Sequence, residues 1–184
     1  MIFQESKIVD CYFIRGEPFV DHRGTFSRKF CEEEYPSKDK IHWVQENLST
    51  NHKAGTLRGM HMQRDPYGEI KLVSCTRGRI FDVVVDMRRD SKSFGQWDGF
   101  ELCEREVTSV LVPKGCAHGY LTLTDDTEVR YLVDNFYKPG AEVSLVWNDP
   151  KVGIVWPHSV DIVSDKDDNA SSFDEYLESI KLGQ

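Results

Sequence analysis

The stretch Phe81-Asp-Val-Val-Val-Asp86 is a short, nearly continuous apolar run, and it decides how the chain folds. Such a run is too apolar for a strand with one face in water, so it belongs in the interior of the protein. The segment Thr124-Asp-Asp-Thr127 has the composition of a hairpin turn. Around these two segments lie further β-rich runs that are separated by Gly, Asp and Pro: Lys71–Thr76, Arg79–Asp86, Gln96–Leu102, Ser109–Val112, Tyr120–Leu123 and Glu128–Val133. This spacing predicts an antiparallel sandwich or jelly-roll barrel.

Helical patterns are scarce in the rest of the chain. They are confined to Cys31–Tyr35 and the tail Ser172–Ile180, and the polar stretch Ser164–Ser172 predicts a long loop. A chain of 184 residues is long enough to bury one core without a disulfide or a metal. We therefore predict a single all-β domain over residues 1–184, with short flanking helices. Its barrel core spans about 41–157, and the C-terminal segment 158–184 closes the site.

The composition argues against several classes of protein. A net charge of −8 and a pI near 5.2 are unfavourable for a surface that binds nucleic acid or anionic membranes. The five cysteines are scattered without a Cys-x-x-Cys pair, which favours reduced thiols in small core positions. The N-terminal residues lack a signal-peptide pattern, and no apolar run approaches the roughly 20 residues of a membrane span. We expect a cytoplasmic protein that binds neither nucleic acid nor membrane.

The stretch Gly55-Thr-Leu-Arg-Gly-Met-His61-Met-Gln63, which Lys71 follows, has the character of an active site. His61 lies between two methionines, so in a strand its side chain points into the barrel mouth while they face the other way. From spacing alone, a catalytic and a structural histidine are both open. The presence of Arg58, Gln63 and Lys71 favours the catalytic interpretation, because polar groups in a barrel interior are costly without a ligand.

Two further elements have a similar character. The first is Val112-Pro-Lys-Gly-Cys-Ala-His118-Gly-Tyr, in which His118 is either a site residue or a turn histidine that bonds to the backbone. The second places two phenols, Tyr131 and Tyr137, six residues apart. Taken alone, each phenol is equally compatible with ordinary packing. Together with His61, these elements indicate proton transfer inside a small barrel.

The sequence also bears on a metal centre and on a phosphate site. His61, Gln63, Glu69 and His118 lie close to the ligand pattern of a metal-binding cupin barrel. However, Gln63 stands where that pattern has its second histidine, and Gln is a poor ligand for zinc or iron, so we predict no metal. No Gly-rich phosphate loop is present in the sequence. Arg23 and Arg58 are therefore the candidates for a diphosphate, which a guanidinium fork binds in bidentate fashion.

Nine motifs follow one another in an order that is typical of one family. They are Asp21-x-Arg-Gly-x-Phe26, Gln45-Glu-Asn47, Leu57-Arg-Gly-Met-His61, Lys71-Leu-Val, Phe81-Asp-Val-Val-Val-Asp-Met-Arg88, Phe94-Gly-x-Trp97, Val112-Pro-x-Gly-x-Ala-His-Gly119, Asp149-Pro-x-x-Gly-Ile-x-Trp-Pro157 and Ser164-Asp-Lys-Asp167. On these motifs the chain resembles the dTDP-4-dehydrorhamnose 3,5-epimerases of deoxysugar biosynthesis over nearly its whole length. The resemblance implies a cupin-like jelly-roll barrel and a homodimer with exchanged N-terminal strands. It also implies an enzyme that needs no metal or other cofactor.

The resemblance further implies an activity and a set of site residues. The enzyme would invert C3 and C5 of a nucleotide-diphospho-4-keto-6-deoxyhexose, with dTDP as the expected nucleotide. His61 would be the base and Tyr131 the acid. Lys71 would stabilise the enolate, and Asp167 would orient His61. The implied contacts to the sugar nucleotide are Arg23, Gln45, Asn47, Arg58, His118, Glu142 and Lys166, with Tyr137 and Phe26 stacking on the base.

The chain departs from the family pattern at several positions, one of which bears on specificity. Arg28 stands where the family has Glu, at a position that helps to read the base, so the nucleotide stays open. Glu69 stands where the family has Gln, shortly before the lysine. Related members epimerise C3 alone, and that alternative also stays open. Less favoured alternatives on the same barrel are a 3,4-ketoisomerase, a metal-bound cupin dioxygenase and a non-catalytic sugar-binding cupin.

Overall fold

The computed structural model describes residues 1–36 and 40–182, which contain thirteen strands and two short helices. The strands are β1 (Ile2–Glu5), β2 (Tyr12–Arg15), β3 (Phe19–Asp21), β4 (Gly24–Phe26), β5 (Gln45–Asn51), β6 (Leu57–Gln63), β7 (Lys71–Arg77), β8 (Arg79–Asp86), β9 (Trp97–Cys103), β10 (Thr108–Val112), β11 (Cys116–Thr122), β12 (Thr127–Val133) and β13 (Glu142–Ser144). The helices are α1 (Asp165–Asp168) and α2 (Phe173–Leu182). All six β-rich runs predicted from the sequence are strands, with ends that differ by a few residues.

The strands form two large antiparallel sheets and one separate ribbon. The first sheet has the order β1-β2-β10-β7-β12-β5, and the second has the order β13-β6-β11-β8-β9. The ribbon pairs β3 with β4. Val73 and Val129 of the first sheet pack with Ile80 and Val84 of the second in one buried cluster, so the two sheets enclose the main core. This double-sheet, mostly β architecture confirms the predicted all-β, cupin-like jelly roll.

Strand β8 shows why the fold-deciding run is apolar on both faces. Ile80 and Val84 face the core between the sheets, whereas Val83 and Val85 belong to a second buried cluster on the outer face. Side chains alternate across a strand, so a strand that is covered on both sides carries apolar residues on both faces. The outer cover is supplied by the C-terminal segment, including Phe173 of α2. The prediction that this run lies inside is therefore confirmed.

The outer face of the first sheet is covered by the segment that precedes β5. Leu72 and Leu111 of the sheet pack there against Tyr35 and Ile41 in a third buried cluster. The sheet also extends beyond the expected core of residues 41–157, because β1 and β2 pair next to β10. Three of the five cysteines are buried, and all five are free thiols.

Two local expectations were wrong. Cys31–Tyr35 forms a turn, not a helix, with the amide of Glu34 donating to the carbonyl of Cys31 at 3.1 Å. Pro36 follows directly and disfavours the helical region for the preceding residue. The second error concerns the predicted loop Ser164–Ser172, which contains α1.

The chemistry at the start of each helix explains where it begins. The hydroxyl of Ser164 accepts a hydrogen bond from the amide of Asp167 at 3.2 Å, and three aspartates fill the first turn of α1. The predicted tail helix is confirmed as α2. Ser172 and Glu175 form a reciprocal capping box at its start, with side chain-to-backbone hydrogen bonds in both directions. Neither described helix has the length and apolar composition that a membrane crossing requires.

Candidate active site

The site begins where β6 and β11 approach each other unusually closely. A Cβ atom on Gly59 would lie 2.5 Å from the Cα of Gly119, so neither position has room for a larger residue without movement. The register of the two strands shifts between His118 and Tyr120. As a result, His61 and His118 are directly paired across the two strands. Two glycine-containing motifs that lie far apart in the sequence therefore place two imidazoles side by side.

The alternation of β6 separates His61 from its neighbours. Met60 and Met62 belong to the buried cluster on the outer face of the sheet, whereas His61 lines the cavity inside the barrel. This is the orientation that the sequence predicts for a strand at this point.

Lys71 and Tyr131 enter the same cavity from the opposite sheet. They lie on the paired strands β7 and β12, where Tyr131 is opposite Val73 and Lys71 is opposite Val133. Lys71 is 8% exposed, and its Nζ donates to the carbonyl of His61 at 3.3 Å. A cation, an imidazole and a phenol thus line one cavity between the two sheets.

His61 has a carboxylate partner that comes from the C-terminal segment. Its Nε2 lies 2.7 Å from Oδ1 of Asp167, which is buried at the start of α1. Oδ2 of the same carboxylate accepts from the amide of Gly59 at 3.3 Å, so both of its oxygens are fixed. This contact ties the segment after residue 158 to the mouth of the barrel.

Burial shifts the pKa values of His61 and Tyr131 in opposite directions. Burial lowers the pKa of His61 below 6.5, although the hydrogen bond and charge of Asp167 oppose that shift. His61 is therefore neutral and able to accept a proton at neutral pH. Burial raises the pKa of the Tyr131 phenol, which stays protonated and able to donate. One group is prepared to take a proton, and the other is prepared to give one.

His61, Lys71 and Tyr131 lie at the junction of two adjoining cavities of about 380 and 440 Å³. The first cavity is lined by hydrogen-bonding side chains that include Gln45, Asn47, Gln63, Glu69, Tyr137 and Glu142. The second is lined by Ser49, Arg58, His118, Tyr120 and Asp167, among others. The expected base, acid and cation are therefore the three side chains common to both spaces.

The remaining predicted contacts fall into two groups. Lys166 lies at the rim, where its Nζ is 2.6 Å from Oε2 of Glu142. Arg23 and Phe26 do not reach the cavity of their own chain, because they lie on the β3–β4 ribbon. There the guanidinium of Arg23 binds Asp21, and Phe26 is 75% exposed.

Several site residues escaped prediction from the sequence. Nε2 of His118 lies 2.6 Å from Oδ1 of Asp82, a carboxylate with no exposed surface. Tyr120 donates from its hydroxyl to Ser49 at 2.8 Å in the second cavity. A signal for Asp82 was available, because an aspartate inside an apolar strand requires a polar partner. Nothing in the local sequence of Ser49 or Tyr120 marks either one.

No group of three His, Cys, Asp or Glu side chains that could hold a metal ion occurs within residues 1–36 and 40–182. Both imidazoles of the cavity already have a carboxylate at Nε2. Gln63, the expected departure from a metal-binding pattern, is engaged with Glu69 and with backbone groups.

Known proteins match this chain over most of its length. The family model for dTDP-4-dehydrorhamnose 3,5-epimerase matches residues 5–175. A curated dTDP-4-dehydrorhamnose 3,5-epimerase from Shigella flexneri is 37% identical over 171 residues, covering 92% of this chain and 94% of the relative.

Solved structures extend the similarity to three dimensions. A dTDP-4-dehydrorhamnose 3,5-epimerase from Bacillus anthracis, with TDP and PPi bound, superposes with a TM-score of 0.89 at 36% identity and covers 94% of this chain and 99% of its own. A 3'-monoepimerase from Streptomyces bikiniensis, in complex with dTDP-quinovose, gives a TM-score of 0.87 at 32% identity and covers 97% and 89%. On the fold, the site and these matches, the chain belongs to the dTDP-4-dehydrorhamnose 3,5-epimerase family.

Proposed function

We propose that this protein is an isomerase that inverts C3 and C5 of a nucleotide-diphospho-4-keto-6-deoxyhexose, with a dTDP sugar as the substrate. The observation that carries the proposal is the cavity in which His61, backed by Asp167, lies with Tyr131 and Lys71. The family membership of the chain supports the same reaction.

The chemistry follows from the substrate and the four side chains. The C4 ketone acidifies the protons on C3 and C5, so a neutral imidazole is a sufficient base. His61 removes the proton while Asp167 holds the ring and stabilises the imidazolium. The enolate oxygen at C4 takes up charge near the ammonium of Lys71. Tyr131 then gives a proton to the opposite face, which inverts the centre without a redox step. Solvent takes the proton from His61 and returns one to the Tyr131 phenolate, so that the same pair can act on the second centre.

The second cavity offers a group that suits the diphosphate of the substrate. Arg58 lies at its edge with its Nε held by Asn51 at 2.8 Å. A guanidinium in a fixed orientation is suited to a diphosphate, because its donors match two oxygens at once. His118, Gln45, Asn47, Glu142 and Lys166 complete the proposed contacts, with Tyr137 stacking on the base.

We also propose a homodimer in which the N-terminal strands are exchanged. The β3–β4 ribbon carries Phe19 and Phe26 with 66% and 75% of their surface exposed. Two large apolar side chains exposed together indicate a surface that binds another protein. On the partner's barrel, Arg23 and Phe26 would complete the nucleotide site. Sedimentation should give twice the 21.3 kDa mass of one chain, and a monomer mass at working concentration would contradict the dimer.

A 3-epimerase is the second candidate, because one structural relative is a 3'-monoepimerase at 32% identity. The two activities share the first proton transfer and differ only in whether C5 is also presented to the base.

Proton NMR of dTDP-4-keto-6-deoxyglucose with the enzyme in deuterium oxide distinguishes these functions. Loss of both the C3 and the C5 signals is the result that we expect, whereas loss of C3 alone would identify a 3-epimerase. Retention of both signals would contradict either activity on this substrate.

A further inference from the structure

Glu69 lies between the cation of the cavity and a neighbouring glutamine, and it bonds to both. Its Oε1 is 3.3 Å from Nζ of Lys71, and its Oε2 accepts from Nε2 of Gln63 at 2.7 Å. The reaction described above assigns no task to this carboxylate. Each of its two oxygens therefore has a different partner, and it joins two parts of the cavity wall.

Gln63 continues the connection to the segment after β12. Its Oε1 accepts from the amide of Lys138 at 2.7 Å, and its Nε2 also donates to the carbonyl of Phe136 at 3.2 Å. These two bonds bracket Tyr137, which lines the cavity. The amide group of Gln63 thus holds the backbone on both sides of the aromatic residue that is proposed to stack on the base.

Because Lys71 and Glu69 are buried, removing either member of the pair is costly. Their side chains are only 9% and 13% exposed, so solvent compensates poorly for the loss of either charge. Removing one member of a buried ion pair leaves an uncompensated charge, which is far more costly than the loss of a surface pair. Within residues 1–36 and 40–182, Nζ of Lys71 has one other polar partner, the carbonyl of His61.

We propose that Glu69 is a positioning residue for the epimerase reaction. It holds the ammonium of Lys71 where the enolate oxygen forms and, through Gln63, it holds the segment Phe136–Lys138 that carries Tyr137. The positions of Lys71 and Tyr137 therefore both depend on the carboxylate of Glu69. This inference rests on the proposed function only for the role of Lys71, because the contacts of Glu69 are independent of the reaction.

The variants Glu69→Ala and Glu69→Gln test the proposal, with Glu101→Gln as the control. Like Glu69, Glu101 pairs with a cationic side chain, here Arg79 at 2.7 Å, but both side chains of this pair are about half exposed. Two measurements are made on each purified protein. One is the hydrogen exchange rate of the Lys138 amide by NMR, and the other is kcat and KM for the sugar nucleotide.

We expect Glu69→Ala to speed exchange at the Lys138 amide by at least about tenfold, because Gln63, the acceptor of that amide, loses the shortest of the three bonds of its own NH₂ group. The other two bonds, to the carbonyls of Tyr67 and Phe136, are longer. The same variant should lower kcat by at least about tenfold, since Lys71 no longer has a fixed position. Glu101→Gln should change neither quantity by more than about twofold.

Glu69→Gln separates the two functions of the carboxylate. If its amide oxygen faces Lys71, its NH₂ group meets the NH₂ group of Gln63, and two donors cannot bond. We therefore expect kcat within about threefold of wild type but faster exchange at the Lys138 amide. If Glu69 had only a packing role, Glu69→Gln would not change the Lys138 exchange rate while leaving kcat nearly unchanged. The Gln variant also carries the test if the Ala variant does not fold.

The proposal is overturned if kcat, KM and Lys138 exchange all stay within about twofold of wild type in both Glu69 variants. This holds whether or not the thermal stability of the variants falls. If wild type does not turn over the sugar nucleotide, the proposed function fails, while the exchange of the Lys138 amide still decides whether Glu69 holds the segment.

Discussion

His61 and His118 are paired across neighbouring strands and each has a carboxylate at Nε2, yet their surroundings differ. The side chain of His61 is 30% exposed and that of its partner Asp167 is 6% exposed. For His118 and Asp82 the corresponding values are 8% and zero. The same chemical pair therefore occurs once at an accessible cavity surface and once in the interior.

The difference shows what accessibility adds to a histidine–carboxylate pair. A base must reach the carbon-bound proton, so the ring of His61 has to keep one side open to the cavity. A buried pair instead presents a fixed imidazole whose main requirement is that its polar atoms remain bonded. We infer that His61 carries the proton transfer and that His118 binds and orients. The predictions that follow test this division.

The largest effect is expected for His61→Asn. Losing the base should lower the rate of deuterium exchange at C3 and C5 by about 10³-fold, within the range for general base catalysis. The melting temperature should fall only modestly, because the buried Asp167 loses one hydrogen-bond donor but keeps the amide of Gly59. Exchange measured by NMR and unfolding measured by circular dichroism check both statements. Exchange within tenfold of wild type would remove His61 from the mechanism.

Asp167→Asn should have the next largest effect. The amide keeps the shape of the carboxylate but cannot stabilise an imidazolium or fix the same tautomer, so kcat should fall by about 10²-fold. KM should change much less, because Asp167 supports the base and does not bind the substrate. Steady-state kinetics measure the two constants separately. A rise in KM with an unchanged kcat would contradict the assigned role.

Asp82→Asn should mainly affect stability. Its carboxylate is fully buried and bonds to His118 with both oxygens, at 2.6 and 3.0 Å. Weakening this pair should cost about 2–3 kcal/mol of unfolding free energy, which urea denaturation measures. Asp167→Asn, at the more open pair, is the matched control and should cost less. The reverse order would mean that the two pairs do not differ as their burial indicates.

The smallest effect is a shift in pH dependence. Burial lowers the pKa of His61 below 6.5, and the neutral base exists only above that pKa. The kcat/KM profile should therefore be level at neutral pH and fall as the pH drops through a value below 6.5. Asp167 raises this pKa, so Asp167→Asn should move the acid limb to still lower pH. An acid limb above 6.5 would contradict the burial of the base.

Much of the fold could be predicted from the pattern of apolar residues. The run Phe81–Asp86 identified a doubly covered strand, and the other β-rich runs identified β7, β9, β10, β11 and β12. The helix predicted at Cys31–Tyr35 was wrong because the following proline ends the helical region there. The helix α1 was missed because its four residues carry no apolar periodicity, although Ser164 is a strong N-cap signal.

The site was only partly predictable, for a physical reason. His61 and Lys71 lie near each other in the sequence, so one motif indicated both. The pair of His118 with Asp82 joins different strands, and the register shift next to Gly119 that places it leaves no local pattern. Glu69 was predicted neither to pair with Lys71 nor to contact Gln63; the sequence marked it only as a possible metal ligand and as a departure from the family motif. Its contacts with Lys71 and Gln63 depend on side-chain directions that spacing cannot supply.

The most direct test of two-sided proton transfer is the variant Tyr131→Phe in deuterium oxide. Exchange at C3 and the appearance of inverted product are followed by NMR in the same sample. His61 can still remove a proton and return a deuteron from its own side, so exchange should continue at a measurable rate. Inversion should fall by at least about 10²-fold, because the acid on the opposite face is lost. Two outcomes would contradict the assignment of His61 as base and Tyr131 as acid. In one, exchange and inversion both continue at wild-type rates; in the other, both are abolished.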